Sequence, residues 1–168
     1  MSRLDSFIRR LEAQRACLNM AASLVRGVDG AVLELGLGNG RTYDHLRQLF
    51  PERDIFVCER QVAAHPDCIP PEEFLLLGDM RETLPAVRQR LGKRIALAHF
   101  DPGTGDVEAN RALARELAPM VAPLMRPGAV LVSEMALDLT ELAAIPLPAG
   151  VRPGRYHLYR RISSRSSP

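Results

Sequence analysis

Apolar residues in the first 26 positions recur at helical spacing. Leu4, Leu11, Leu18 and Val25 share one heptad position, and Phe7, Ile8 and Ala21 widen them into a stripe. This predicts a long amphipathic helix over 3–26, opened by a capping box between Ser2 and Asp5 and closed at Gly27. From residue 31 the pattern changes to short apolar runs separated by amphipathic stretches. The runs 31–35, 54–58, 74–77, 95–100 and 129–134 read as strands, and 95–100 is apolar on both faces but for His99, as a central parallel strand is. Between them, Tyr43, Leu46, Leu49 and Phe50 form a helical face that stops at Pro51, 83–91 reads as a helix with Pro85 near its first turn and Gly92 at its end, and 108–118 as another that Pro119 and Pro123 kink or end. Residues 65–72 hold too much proline for helix or sheet. A short helix is expected over 137–144, a poor sixth strand among Pro146, Pro148 and Pro153, and a final antiparallel strand over 156–162.

Strands alternating with helices imply an α/β fold: a doubly wound, mostly parallel sheet of about 6–7 strands, with an antiparallel C-terminal strand and an N-terminal helix. At 168 residues the chain forms one domain, divided into helix (1–27), Rossmann-like core (28–162) and flexible tail (163–168).

Composition narrows the function classes. A charged fraction of 25% against 46% hydrophobic residues is that of a globular chain, and no apolar run approaches the roughly 20 residues of a membrane span. The opening MSRLDSFIRR has no apolar signal core, so a cytoplasmic protein is expected, with no membrane partner. Cys17, Cys58 and Cys68 have no metal-type spacing and read as reduced thiols. Net charge is only +2, although the last 18 residues hold five arginines and no acid; a solvated terminus accounts for them better than a nucleic-acid surface.

The chemistry-bearing stretch is AVLELGLGNG at 31–40. A strand breaking into Gly36, Gly38 and Gly40 brings a ligand against bare backbone. The dinucleotide spacing G-x-G-x-x-G would need a small residue at 41, where Arg41 stands. Glu59, 23 residues past Gly36 and at the end of the second strand, is suited to accept hydrogen bonds from both hydroxyls of a ribose. The fourth strand ends at Asp101, and carboxyl-end loops of central strands hold ligands, so His99, Asp101 and Asp106 are candidate catalytic residues, with histidine suited to accept a proton. No metal site is assigned; Asp101 and Asp106 across a glycine turn carry too little for one.

The order E-x-G-x-G-x-G from Glu34 resembles the first motif of class I S-adenosylmethionine (SAM)-dependent methyltransferases. Gly78-Asp79-Met80 after the third strand is similar to the place where that family holds the adenine amino group, and Arg126-Pro127-Gly128 resembles the lysine-proline-glycine-glycine turn before its fifth strand. The loop after residue 100 departs from the asparagine-proline-proline-aromatic motif of DNA and protein-amide methyltransferases. The resemblance spans about residues 30–135 and implies SAM as cofactor, held by Glu34, Gly36, Leu37, Gly38, Asn39, Gly40, Glu59, Arg60, Gly78, Asp79, Met80 and Asp101. Glu34 and Asp101 suit its sulfonium and amino charges. It further implies methyl transfer; the acceptor, expected to be a small molecule, does not follow from the resemblance. A SAM-binding module without catalysis and a nicotinamide-dependent oxidoreductase stay open as alternatives. The apolar stripe is longer than a sheet edge needs to cover, so a homo-oligomer is expected, and Gln14, Arg15 and Asn19 on the same helix are candidates to close the pocket.

Overall fold

Ser2 and Asp5 make the capping box in both directions, each bond 3.0 Å, and open α1 (Arg3–Leu24). The structure, a computed structural model, describes residues 2–103 and 106–163. α1 ends on Val25, whose N–H donates to the Ala21 carbonyl, two residues before the expected stop at Gly27. Then follow β1 (Ala31–Leu35), α2 (Arg41–Leu49), β2 (Ile55–Glu59), β3 (Leu75–Leu77), α3 (Met80–Leu91), β4 (Ile95–Phe100), α4 (Val107–Val121), β5 (Met125–Ser133), β6 (Leu142–Ala144) and β7 (His157–Arg161). The irregular crossover between β2 and β3 holds two short 3-10 turns, Pro66–Cys68 and Glu72–Phe74.

The seven strands form one sheet in the order β3-β2-β1-β4-β5-β7-β6. All pairs from β3 to β5 are parallel, while β7 runs antiparallel to both β5 and β6. Strand alternation divides the core. Leu33, Leu35, Ala98, Phe100 and Leu131 pack with Leu84, Val87, Leu117 and Val121 of α3 and α4, whereas Val32, Val57, Leu97 and Val130 pack with Leu18, Ala21 and Leu46 of α1 and α2. Helices therefore cover both faces of the sheet. The N-terminal stripe is split: Leu18 and Val25 are buried, but Leu4, Phe7 and Ile8 are 66%, 45% and 45% exposed.

Four expectations need correction. α3 begins at Met80 rather than 83, because the Asp79 side chain caps it by accepting from the Arg81 N–H at 2.8 Å, so Pro85 stands inside the helix. α4 runs through Pro119 to Val121, held by the buried Leu117, Ala118 and Val121. β5 starts at Met125; the register against β4 jumps from Ile95–Met125 to Leu97–Val130, so Arg126-Pro127-Gly128 is a bulge within the strand, with Gly128 at φ +83°. Residues 137–144 form no helix. The sixth strand lies here, at Leu142–Ala144, and not among Pro146, Pro148 and Pro153; it pairs with β7, whose outer backbone groups would otherwise lack partners. The expected tail lies, apart from Ser163, outside the described residues. No helix among the described residues is long and apolar enough to cross a membrane.

Candidate active site at the glycine corner

The sheet order reverses direction between β1 and β4, and the glycine corner stands at their carboxyl ends, where open α/β sheets bind ligands. Its glycines serve different ends. Gly36 (φ +95°) leaves no room for a side chain, since a Cβ there would stand 2.8 Å from the Asp101 carbonyl oxygen. At Gly40 (φ +84°) a Cβ would run into the side chains of Cys68 and Ala64. Gly38 (φ +52°) faces open space, with no atom within 4 Å of an added Cβ. Gly36 and Gly40 thus close the turn, and Gly38 stands open on the side where a side chain would begin.

Two cavities, of about 840 and 550 Å³, meet at this corner and share Gly36, Gly38, Asp101 and Gly103. The smaller is lined by Glu59, Arg60, Gly78, Asp79 and Met80, all expected as binding residues. The larger is lined by Leu37 and Asn39, and by Arg10, Gln14 and Glu134. Of the three α1 side chains considered for closure, only Gln14 reaches this cavity; Asn19 bonds His45 instead, and Arg15 faces a different cavity.

Glu59, expected to accept from ribose hydroxyls, already accepts from backbone. Its Oε2 accepts from the N–H groups of Leu37 (2.7 Å) and Gly38 (3.1 Å), and its Oε1 from those of Arg60 (2.6 Å) and Gln61 (3.2 Å). It braces the glycine corner while lining the smaller cavity. Glu59→Ala is therefore expected to lower both affinity for SAM and unliganded stability by about 1.5–3 kcal/mol each, the range for hydrogen bonds to a charged group. Titration and urea denaturation of the same preparation check this; unchanged values in both would leave the bracing without energetic weight.

Glu34 and His99 depart further from expectation. Both are fully buried and line neither cavity. Glu34 accepts from the Thr42 hydroxyl and pairs with His99 Nδ1 at 2.8 Å. Burial disfavours a charged ring, but the adjacent Glu34 carboxylate, with Asp101, outweighs it and raises the His99 pKa; enclosed between Glu34 and Tyr156, the imidazole does not reach either cavity. Asp106 caps α4 through the Ala109 N–H at 2.9 Å and lines neither cavity.

Asp101 is the catalytic candidate that reaches both cavities. His99 Nε2 lies 3.2 Å from the Tyr156 hydroxyl, and Gln14 Nε2 donates to that hydroxyl at 2.8 Å and to Asp101 Oδ2 at 3.0 Å. Arg10 lies 3.6 Å from Asp101 and 3.2 Å from Glu134. Burial, reinforced by neighbouring Glu134 and opposed by His99 and Arg10, lifts the Asp101 carboxyl to about 6. Tyr156, pushed well up by burial, stays a neutral phenol. Sequence reasoning missed Arg10, Glu134 and Tyr156. Glu134 was within reach, since it follows β5 as Asp101 follows β4; Tyr156 carried no local signal.

A doubly wound sheet with a glycine corner at its switch point and acids after successive strands defines a class I methyltransferase architecture. The family profile described as S-adenosyl-L-methionine methyltransferase matches residues 1–161, and the chain belongs to that family. Its cofactor is SAM and its reaction methyl transfer. The chain is 48% identical to an S-adenosyl-L-methionine methyl transferase of Silicibacter pomeroyi DSS-3 known from its crystal structure, covering 96% of this chain and 99% of that one with a TM-score of 0.91. Human methyltransferase-like protein 13, crystallised with S-adenosylhomocysteine (SAH), shares the fold at 15% identity and TM-score 0.53, over 96% and 82% of the two chains. No curated protein matches.

The residues fit such a cofactor. The open face of Gly38 admits close approach to backbone, and the acids beside it suit a cation.

Proposed function

We propose that the protein methylates a small-molecule acceptor in the larger cavity, with Asp101 as the group beside the reacting atoms. Glu59, Asp79 and Met80 would hold the nucleoside end of SAM, and Leu37, Gly38, Asn39 and Asp101 its amino-acid end. The observation carrying this reading is the junction of two cavities at Gly36, Gly38 and Asp101. When bound, SAM supplies a methyl group on a positively charged sulfur. The acceptor's lone pair would form the new bond to that carbon, and the electrons of the broken carbon–sulfur bond would leave with sulfur as a neutral thioether. Asp101 takes the acceptor's proton where there is one, held in place by Gln14 and Arg10. Holding the partners collinear contributes about 7–11 kcal/mol in favourable intramolecular cases.

Transfer of labelled methyl from SAM into a small-molecule extract tests this. Asp101→Asn is expected to lower the rate about a hundredfold or more. The wild-type rate should rise with pH through about 6 and then level as Asp101 ionises. For stability the sign is opposite: the folded carboxyl holds its proton more tightly than its ordinary 3.8, so its contribution falls as pH rises from 3.8 to about 6. SAM binding without transfer to any fraction would favour the non-catalytic module.

We also propose a cytoplasmic homo-oligomer. Three unpaired cysteines suit a reducing compartment, and exposed Leu4, Phe7 and Ile8, with Phe7 at the cavity wall, give a second copy an apolar surface to cover. Light scattering across a dilution series is expected to show a multiple of 18.6 kDa; a constant monomer mass would refute it.

A further inference from the structure

On the far side of α1 from the larger cavity lies a separate cavity of about 330 Å³. It is lined by the small residues Ala13, Ala16, Ala149 and Gly150 and by Arg9, Arg15, Arg152 and Arg155, with Glu12 as the single acid. Four arginines to one glutamate is a local imbalance in a chain that has 22 basic and 20 acidic residues. Among the described residues none of the four is ion-paired. Arg9 Nε donates to the Asp5 carbonyl oxygen and Arg155 to the Ser6 hydroxyl, both at 3.2 Å, which steers these groups without neutralising them. Gly150, at φ +86°, has no atom within 4 Å of where a side chain would begin, so bare backbone also faces the space.

We propose that this cavity binds a phosphate group. The planar guanidinium fork matches phosphate oxygens two at a time, and uncompensated guanidinium groups around one small space are relieved by a multiply charged anion. A nucleic-acid strand would need the basic surface to continue beyond this cavity. The continuation of the basic tract is already engaged: Arg160 donates to the Gly128 carbonyl oxygen and Arg161 to those of Ala122 and Glu141. Arg155 lines both this cavity and the larger one, so a phosphate here can be part of an acceptor whose methyl-accepting end lies beside Asp101, or a free anion acting as an effector. The first source rests on the proposed function; the phosphate site does not.

The test titrates SAH-loaded protein with pyrophosphate by calorimetry, comparing wild type with Arg9→Gln/Arg152→Gln. These side chains lie outside the SAM cavities, so unchanged SAH affinity certifies the fold of the variant. Expected is saturable pyrophosphate binding by wild type that weakens with added salt and is at least about tenfold weaker in the variant, equivalent to 1.4 kcal/mol or more. No binding by wild type, or equal binding by the variant, overturns the proposal. A second arm supplies labelled SAM and a small-molecule extract with and without prior phosphatase treatment. Loss of labelled product after phosphatase assigns the phosphate to the acceptor, whereas label unaffected by phosphatase but altered in rate by pyrophosphate assigns it to an effector. An absence of any methylation would count against the proposed function while leaving the pyrophosphate result intact.

Discussion

Gly38→Val is expected to abolish binding of SAM while leaving the protein folded. At φ +52° a valine pays the left-handed penalty of about 1–2 kcal/mol, which a domain of ordinary stability, about 5–15 kcal/mol, survives. The added side chain meets no protein atom within 4 Å of its Cβ and so projects into the junction of the two cavities. Gly36→Ala should behave in the opposite way, losing stability first, because its Cβ would collide with the Asp101 carbonyl oxygen at 2.8 Å. Calorimetric titration with SAM, paired with thermal melting without it, separates the two. A folded Gly38→Val protein that titrates normally would move the cofactor site away from this corner.

Glu34→Ala should be the most destabilising single change at the site, by about 3–5 kcal/mol in urea denaturation, as when one partner of a buried ion pair is removed. His99 would be left in the core without its carboxylate, and the Thr42 hydroxyl at the start of α2 without its acceptor. The double variant Glu34→Ala/His99→Leu should lose less than the two single changes added together, since each removes the same interaction. The coupling has a definite pH sign. Folding raises the pKa of His99 above its ordinary 6.5, so the stabilisation is complete below 6.5 and is lost as pH rises through the raised folded value. Coupling that stays flat over that range would mean the histidine is neutral in the folded protein.

These experiments probe residues whose roles were legible to different degrees. Gly36, Gly38 and Asp101 could be placed from the chain alone, because a strand's end and the turn after it are local events and a doubly wound sheet puts consecutive carboxyl ends side by side. Glu59 was legible in position but not in bonding: that it curls back onto the Leu37 and Gly38 N–H groups depends on how β2 lies against the corner. The 137–144 segment was misread for a related reason, as its strand state comes from the open edge of β7 and not from its own propensity.

By itself, then, the sequence determined the order of strands and helices as far as β5, the glycine corner and the acids that follow successive strands, since hydrophobic period and turn chemistry act over a few residues. Only the tertiary structure decided which polar groups meet. Gln14 and Asp101 are 87 residues apart, and His99 and Tyr156 are 57 apart, yet they join in one buried network because α1 and the segment entering β7 converge over the end of β4. The same convergence sets Arg9 and Arg15 opposite Arg152 and Arg155. Nothing in the spacing of these residues encodes it, because contacts between distant elements follow from sheet order and helix packing across the whole fold.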